Sequence, residues 1–137
     1  MGIVQAEITL KNAFDVGNSQ RGLIKAQDIR LKTIQAVVDT GAMTLVIDEE
    51  LCLELGLGIM GKRQVTLAND VKETVKIAEP VEVHWKDRDM VCRPWVVQNT
   101  PKTLLGAIPL EEMDLMVDPK HQELVGAHGD EIESLLL

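Results

Sequence analysis

Aromatic residues are scarce in this sequence. Phe14, Trp85 and Trp95 are the only three, and there is no tyrosine. A surface that stacks nucleic-acid bases needs more aromatic side chains than this. Basic residues are also few, with 14 lysines and arginines against 22 aspartates and glutamates, so the formal net charge is −8. Because polyanions repel such a surface, we expect neither nucleic acid nor an anionic membrane as a partner.

Long apolar runs and paired cysteines are absent too. No stretch approaches the roughly 20 apolar residues of a membrane-spanning helix. The start, MGIVQAEITLK, lacks the basic and apolar regions of a signal peptide, and Ala6 breaks the myristoylation pattern. Cys52 and Cys92 lie far apart, which argues against a disulfide scaffold and a Cys-x-x-Cys site. We therefore expect a cytoplasmic protein with free thiols.

The 137 residues do contain a globular balance, with 45% hydrophobic and 26% charged residues. Alternation of apolar and polar residues dominates, first at Val4, Ala6, Ile8 and Leu10, and it predicts half-buried strands. Further strands are predicted over 29–38, 64–67, 74–77, 81–85, 91–97, 115–117 and 123–125. Many short strands indicate an all-β, barrel-like or sandwich-like domain.

The remaining segments are predicted as short helices, loops and a tail. One helix follows Asp48 and stops at Gly56, and another lies around 109–113. Residues 15–22 are predicted to be a loop because they are rich in glycine, asparagine and serine. Residues 86–89 are predicted to be an exposed charged turn. The acidic segment 127–137 is expected to be disordered or to form a short docking helix.

The segment 36–42, Ala-Val-Val-Asp-Thr-Gly-Ala, is the most informative part of the chain. It places Asp39 where an apolar strand turns, and a strand end holds such a carboxylate rigidly. Gly41 permits a tight turn, and the Thr40 hydroxyl can hold a neighbouring loop. A turn aspartate with a structural hydrogen bond is the simpler alternative.

Together with two later segments, this motif resembles the retroviral-type (clan AA) aspartic proteases, and most closely their bacterial and cellular single-domain relatives. The later segments are the hairpin between Val65 and Ile77, and Leu104-Leu105-Gly106 before a short helix. They occur in the family's order, and the resemblance runs from about Ile3 to Gly126. It implies a retropepsin-like half-barrel domain over 1–126 with one or two short helices, followed by the acidic tail 127–137.

The resemblance also implies roles for individual residues. Asp39, Thr40 and Gly41 match the catalytic motif. The matching substrate-binding positions are pocket walls and flap residues: Ala42, Met43, Ile108, Ala68, Asn69, Asp70 and Val71. Many viral members pair an acid with an arginine where this chain has Met43 and Ala107. No cofactor is implied, and the three histidines lack the spacing of zinc ligands.

A single Asp-Thr-Gly motif has a consequence for assembly. Peptide hydrolysis by this chemistry needs two carboxylates that share one proton. A chain with one copy supplies the pair only by two-fold symmetry, so we expect a homodimer with its active site at the interface.

Three functions stay open at this point. The first is an aspartic endopeptidase. The second is a dimeric module that keeps the protease fold and binds peptides without cutting them. The third is a toxin- or antitoxin-like regulator, or another interaction protein, that shares only the fold.

Overall fold

The computed structural model describes residues 2–98, 100–134 and 136. Met1, at the start of the predicted domain, and Leu135 and Leu137, in the predicted tail, lie outside the described residues, as does Asn99. The described strands are β1 (Gln5–Asn12), β2 (Leu31–Val38), β3 (Leu45–Asp48), β4 (Ile59–Thr66), β5 (Lys72–Ala78), β6 (Val81–Trp85), β7 (Arg88–Cys92), β8 (Trp95–Val97), β9 (Leu104–Leu105), β10 (Leu115–Asp118) and β11 (Glu123–Gly126). The described α-helices are α1 (Ala13–Gln20), α2 (Glu49–Glu54) and α3 (Ala107–Glu112).

Nine of the strands form one sheet, which curls into a half-barrel. Their order across the sheet is β4-β5-β8-β3-β9-β2-β1-β6-β7, and β10 and β11 form a separate antiparallel hairpin. The all-β architecture expected from the alternating pattern is confirmed. None of the described helices has both the length and the apolar character needed to cross a membrane.

The hydrophobic core lies on the inner face of the curled sheet. Every second residue of β1 is buried, with Ala6, Ile8 and Leu10 in the core and Asn12 at the end of the strand. Helix α2 covers part of this core with Leu51, and the Asp48 carboxylate caps its N-terminus by accepting a hydrogen bond from the Leu51 amide at 2.8 Å. The helix predicted between Asp48 and Gly56 is therefore confirmed.

The prediction of a loop over residues 15–22 is wrong, because most of this segment belongs to α1. The Asn12 side chain caps the helix by accepting a hydrogen bond from the Asp15 amide at 3.1 Å. The buried Asp15 carboxylate then binds the Arg30 guanidinium through Nε and Nη2, at 2.8 and 2.9 Å. These contacts outweigh the local turn preference, and the described residues form three short α-helices instead of the one or two predicted.

Three other local predictions differ from the structure. Arg88 is buried at the start of β7, although the charged run 86–89 predicted an exposed turn. The strand predicted over 91–97 is two strands, because the chain breaks at the buried Pro94 and β8 pairs with β3 and β5. The described part of the tail is not helical and contains a β-bridge between His128 and Glu131.

The Asp15–Arg30 pair gives the fold a testable pH dependence. The hydrogen bond from Arg30 lowers the pKa of Asp15 below its ordinary value of 3.8. The contribution of this pair to stability is therefore present above pH 3.8 and is lost as the pH falls through the lower folded-state pKa. We expect Asp15→Asn to reduce the free energy of unfolding by about 2 kcal/mol at pH 7, the scale of a hydrogen bond to a charged group.

Urea unfolding at pH 7 and at pH 3 or below measures this effect. The difference between wild type and Asp15→Asn should shrink at the acid end. An equal difference at both pH values would show that the ion pair is not its source.

Candidate active site

The turn that carries Asp39 is positioned by an inserted strand. Strands β2 and β3 follow one another in the chain, yet β9 lies between them, parallel to β2 and antiparallel to β3. The connection 39–44 must therefore cross the end of β9. This topology places the turn where β9 leaves the sheet and α3 begins.

Backbone hydrogen bonds fix the turn in that place. The Asp39 amide donates to the Leu105 carbonyl at 3.0 Å, so the base of the turn is tied to β9. At the other side, the amides of Ala107 and Ile108 donate to the carbonyls of Ala42 and Met43 at 2.8 and 2.9 Å. The start of α3 thus fixes the second half of the turn through backbone hydrogen bonds alone.

Gly106 makes this close approach possible. A Cβ atom at this position would come within 2.6 Å of the Ala42 carbonyl oxygen and 2.8 Å of the Thr44 amide nitrogen. Both neighbours are backbone atoms, which cannot swing aside as a flexible side chain would. The requirement for glycine here is therefore one of space. The buried Thr44 is a contributor to the site that the sequence did not reveal.

Asp39 as a residue is half-buried, and its carboxylate is oriented by its own turn. Its Oδ1 atom accepts a hydrogen bond from the Gly41 amide at 2.9 Å. Thr40 and Gly41 themselves are exposed. The three residues predicted to be catalytic thus share one ordered surface turn, where a second molecule can reach them.

Two predicted pocket walls flank this turn and expose apolar surface. Met43 is 53% exposed and Ile108 is 48% exposed, and the hydrogen bond between their backbones holds them together. Ala42 lies beside them and is half-buried. Ile108 also borders a cavity of about 580 Å³ that extends towards His128 and Glu133. The structure therefore brings Ala42, Met43 and Ile108 to the Asp39 turn.

The other predicted substrate-binding residues lie on a separate element. Ala68, Asn69, Asp70 and Val71 form the exposed tip of the β4–β5 hairpin. The Leu67 amide donates to the Val71 carbonyl at 2.8 Å, and Asp70 has a positive φ of 63° that closes the tip. Among the described residues no hydrogen bond joins this tip to the Asp39 turn. The hairpin has the form of a flap, whose position over the turn in a complex stays a prediction.

One cluster among the described residues has the composition of a metal site. Ligand atoms of Asp118, His121 and Glu123 lie within 4.8 Å of one another in the β10–β11 hairpin. The His121 Nδ1 and Asp118 Oδ2 atoms are 2.7 Å apart, and this hydrogen bond raises the pKa of His121. An exposed hydrogen-bonded pair accounts for the cluster without a metal ion. The cluster belongs to a different hairpin from the Asp39 turn.

The packing at Gly106 predicts a severe effect of one added methyl group. We expect Gly106→Ala to lower the free energy of unfolding by about 3 kcal/mol, because an overpacked rigid site cannot relax. Gly17→Ala is the matched control, since its Cβ would lie 3.8 Å from Nη1 of the flexible Arg21 side chain, an ordinary van der Waals distance. As a change within α1, it should alter stability by less than about 1 kcal/mol, in the stabilising direction.

Urea denaturation of the three proteins measures both effects. Equal stability of Gly106→Ala and wild type would contradict the close approach of the turn to β9.

Comparisons with known proteins support the fold. No family model matches the sequence, and no curated protein matches it. Among solved structures, the chain is similar to the retroviral protease-like domain of Ddi1 from Leishmania major, with a TM-score of 0.56 and 15% identity. The match covers 98% of this chain and 91% of that domain. The fold of this chain is therefore retropepsin-like.

Proposed function

We propose that the chain is an aspartic endopeptidase that works as a homodimer. The observation that carries this proposal is the placement of Asp39 in an ordered surface turn, held by β9 and α3 on a retropepsin-like half-barrel. A protein that only binds peptides has no need for a carboxylate facing its symmetry mate. The other two functions considered from the sequence have no comparable observation in their favour.

In this mechanism the two Asp39 carboxylates act as one unit. One is ionised and takes a proton from a water molecule, which attacks the scissile carbonyl carbon. The other is protonated and donates to the carbonyl oxygen. Two like charges a few Å apart cannot both ionise cheaply, so the pair titrates in two separated steps. The activity should therefore follow a bell-shaped pH profile.

The dimer follows from the same chemistry. One chain supplies one Asp39, and an isologous interface brings the second across a two-fold axis. The exposed Thr40 and Gly41 would meet their counterparts there, and each Thr40 hydroxyl would brace the opposite turn. The exposed side chains of Met43 and Ile108 supply apolar surface beside this interface.

The substrate would be an extended peptide that lies between the subunits. Its main chain would pair with the flap tip, residues 68–71, in the manner of an added strand. Ala42, Met43 and Ile108 would form apolar walls, which favours hydrophobic side chains at the cleaved bond. The acidic surface argues against nucleic acid or membranes as partners. Free thiols at Cys52 and Cys92 support a cytoplasmic location.

Cleavage of a diverse peptide library tests the proposal. Wild type and Asp39→Asn are compared across acidic to neutral pH, with products read by mass spectrometry. We expect cuts by wild type and a loss of at least about a thousandfold in the variant, because the amide can take no proton from water. Asp89→Asn is the matched control, since it neutralises an exposed carboxylate on the edge strand β7 and should cleave normally.

Equal cleavage by wild type and Asp39→Asn would exclude Asp39 as the catalytic group. Binding of library peptides without any cleavage by wild type, under conditions where it is dimeric, would favour the non-catalytic peptide-binding module.

The assembly makes a separate prediction. Size-exclusion chromatography with light scattering should give twice the chain mass of 15.2 kDa at high concentration. A monomer at every concentration, with and without a peptide ligand, would contradict the shared active site.

A further inference from the structure

Arg88 is a buried arginine that binds only backbone carbonyls among its described partners. It is 3% exposed. Its Nη1 atom donates to the carbonyls of Met113 and Asp114, at 3.0 and 2.7 Å. Its Nη2 atom donates to the carbonyls of Gly129 and, at 3.4 Å, Glu131. One guanidinium thus joins β7 to the end of α3 and to the segment 129–131. A buried charge is costly unless its donors find acceptors, and here four carbonyls accept from the two terminal nitrogens.

The packing around Gly126 is a second observation that the space beside the Arg88 guanidinium is kept free of side chains. A Cβ atom at Gly126 would overlap Nη2 of Arg88 and the carbonyl oxygen of Gly129. Strand β11 therefore passes Arg88 closely at a residue without a side chain, and a side chain there would have to displace the guanidinium.

Asp114 makes a second tie between α3 and the same segment. Its carbonyl accepts a hydrogen bond from the Ala127 amide at 2.8 Å. Its Oδ2 atom lies 2.7 Å from Nδ1 of His128 and accepts from the Glu133 amide at 3.0 Å. We call Arg88, Asp114, Gly126 and His128 the C-terminal clasp. Through it, residues 127–133 are bound to the end of α3.

Helix α3 connects the clasp to the Asp39 turn. It has six residues and is about 9 Å long, with Pro109 and Leu110 buried. At its start, its first two amides donate hydrogen bonds to the carbonyls of Ala42 and Met43. Just after its end, the carbonyls of Met113 and Asp114 accept hydrogen bonds from Arg88. Because so short a helix moves as one body, a shift at the clasp is passed to the turn.

We propose that Arg88 is a positioning residue for Asp39, and that residues 127–133 are part of the catalytic unit through the clasp. This inference rests on the proposed protease function. Arg88 does not touch the reacting atoms; it fixes α3, and α3 fixes the turn. Displacements of about 1 Å at such a turn are enough to lower a rate by up to a hundredfold.

Arg88→Lys tests the proposal with the whole chain. Lysine keeps the positive charge, but its single ammonium group cannot bind both segments in the geometry of the guanidinium fork. We expect kcat to fall about tenfold or more while KM changes less than about threefold. Arg93→Lys, an exposed position beyond the end of the same strand, is the matched control and should leave both constants unchanged.

Amide hydrogen exchange gives a readout that does not depend on catalysis. In Arg88→Lys the amides of Ala107 and Ile108 should exchange faster, whereas those of the β1–β2 pair should not change. His128→Gln, a substitution at an exposed position that alters the contacts of His128 with Asp114 and Glu133 and leaves Arg88 in place, should shift the same amides by a smaller amount. If Arg88→Lys does not fold, the exchange measurement on His128→Gln still tests the proposal.

Unchanged exchange at Ala107 and Ile108 in a folded variant would overturn the proposal, as would wild-type kcat in Arg88→Lys. If wild type cleaves no peptide at all, the protease proposal fails instead, and the exchange data still show whether the clasp controls the turn.

Discussion

The hydrogen bonds between the 39–43 turn and its two supports, β9 and the start of α3, are the constraint on which the rest depends. They exist because β9 separates two strands that are consecutive in the chain, so the turn has to cross its end. Only glycine at position 106 leaves room for that crossing. The carboxylate of Asp39 is then oriented by the Gly41 amide within the turn. The position of the Asp39 carboxylate thus depends almost entirely on hydrogen bonds made by backbone groups.

The same backbone hydrogen bonds join the turn to α3 with no ion pair at the site among the described residues. Many viral members of the family that the sequence resembles have an acid and an arginine at the positions of Met43 and Ala107. The backbone bonds from Ala107 and Ile108 already join the two segments. Because neither Met43 nor Ala107 carries a charge, neither needs an ionic partner, and Met43 and Ile108 expose apolar surface. That surface suits a subunit interface or an apolar substrate side chain.

The sequence predicts those parts of the structure that depend on local pattern. Alternation predicted most strands of the half-barrel but not β3, and Asp48 and Gly56 marked the ends of α2. The Asp39 turn and Gly106 were recognisable because they lie in short motifs that resemble those of the retroviral-type proteases. What could not be predicted depends on polar contacts between distant segments. Asp15 stabilises α1 through Arg30, against a turn-forming composition, and Arg88 is buried by carbonyls contributed from residues 113–131. No local pattern distinguishes such residues from solvated charges.

The central claim is that two chains build one catalytic site, and a subunit-mixing experiment tests it most directly. Wild type and Asp39→Asn are mixed in equal amounts, allowed to exchange subunits, and assayed at fixed total protein. If every active site needs both carboxylates, only wild-type homodimers cleave, and random pairing leaves about a quarter of the all-wild-type activity. If each chain carries its own site, about half of the activity remains. A quarter is the result expected from a shared pair of Asp39 residues, and a half would contradict it.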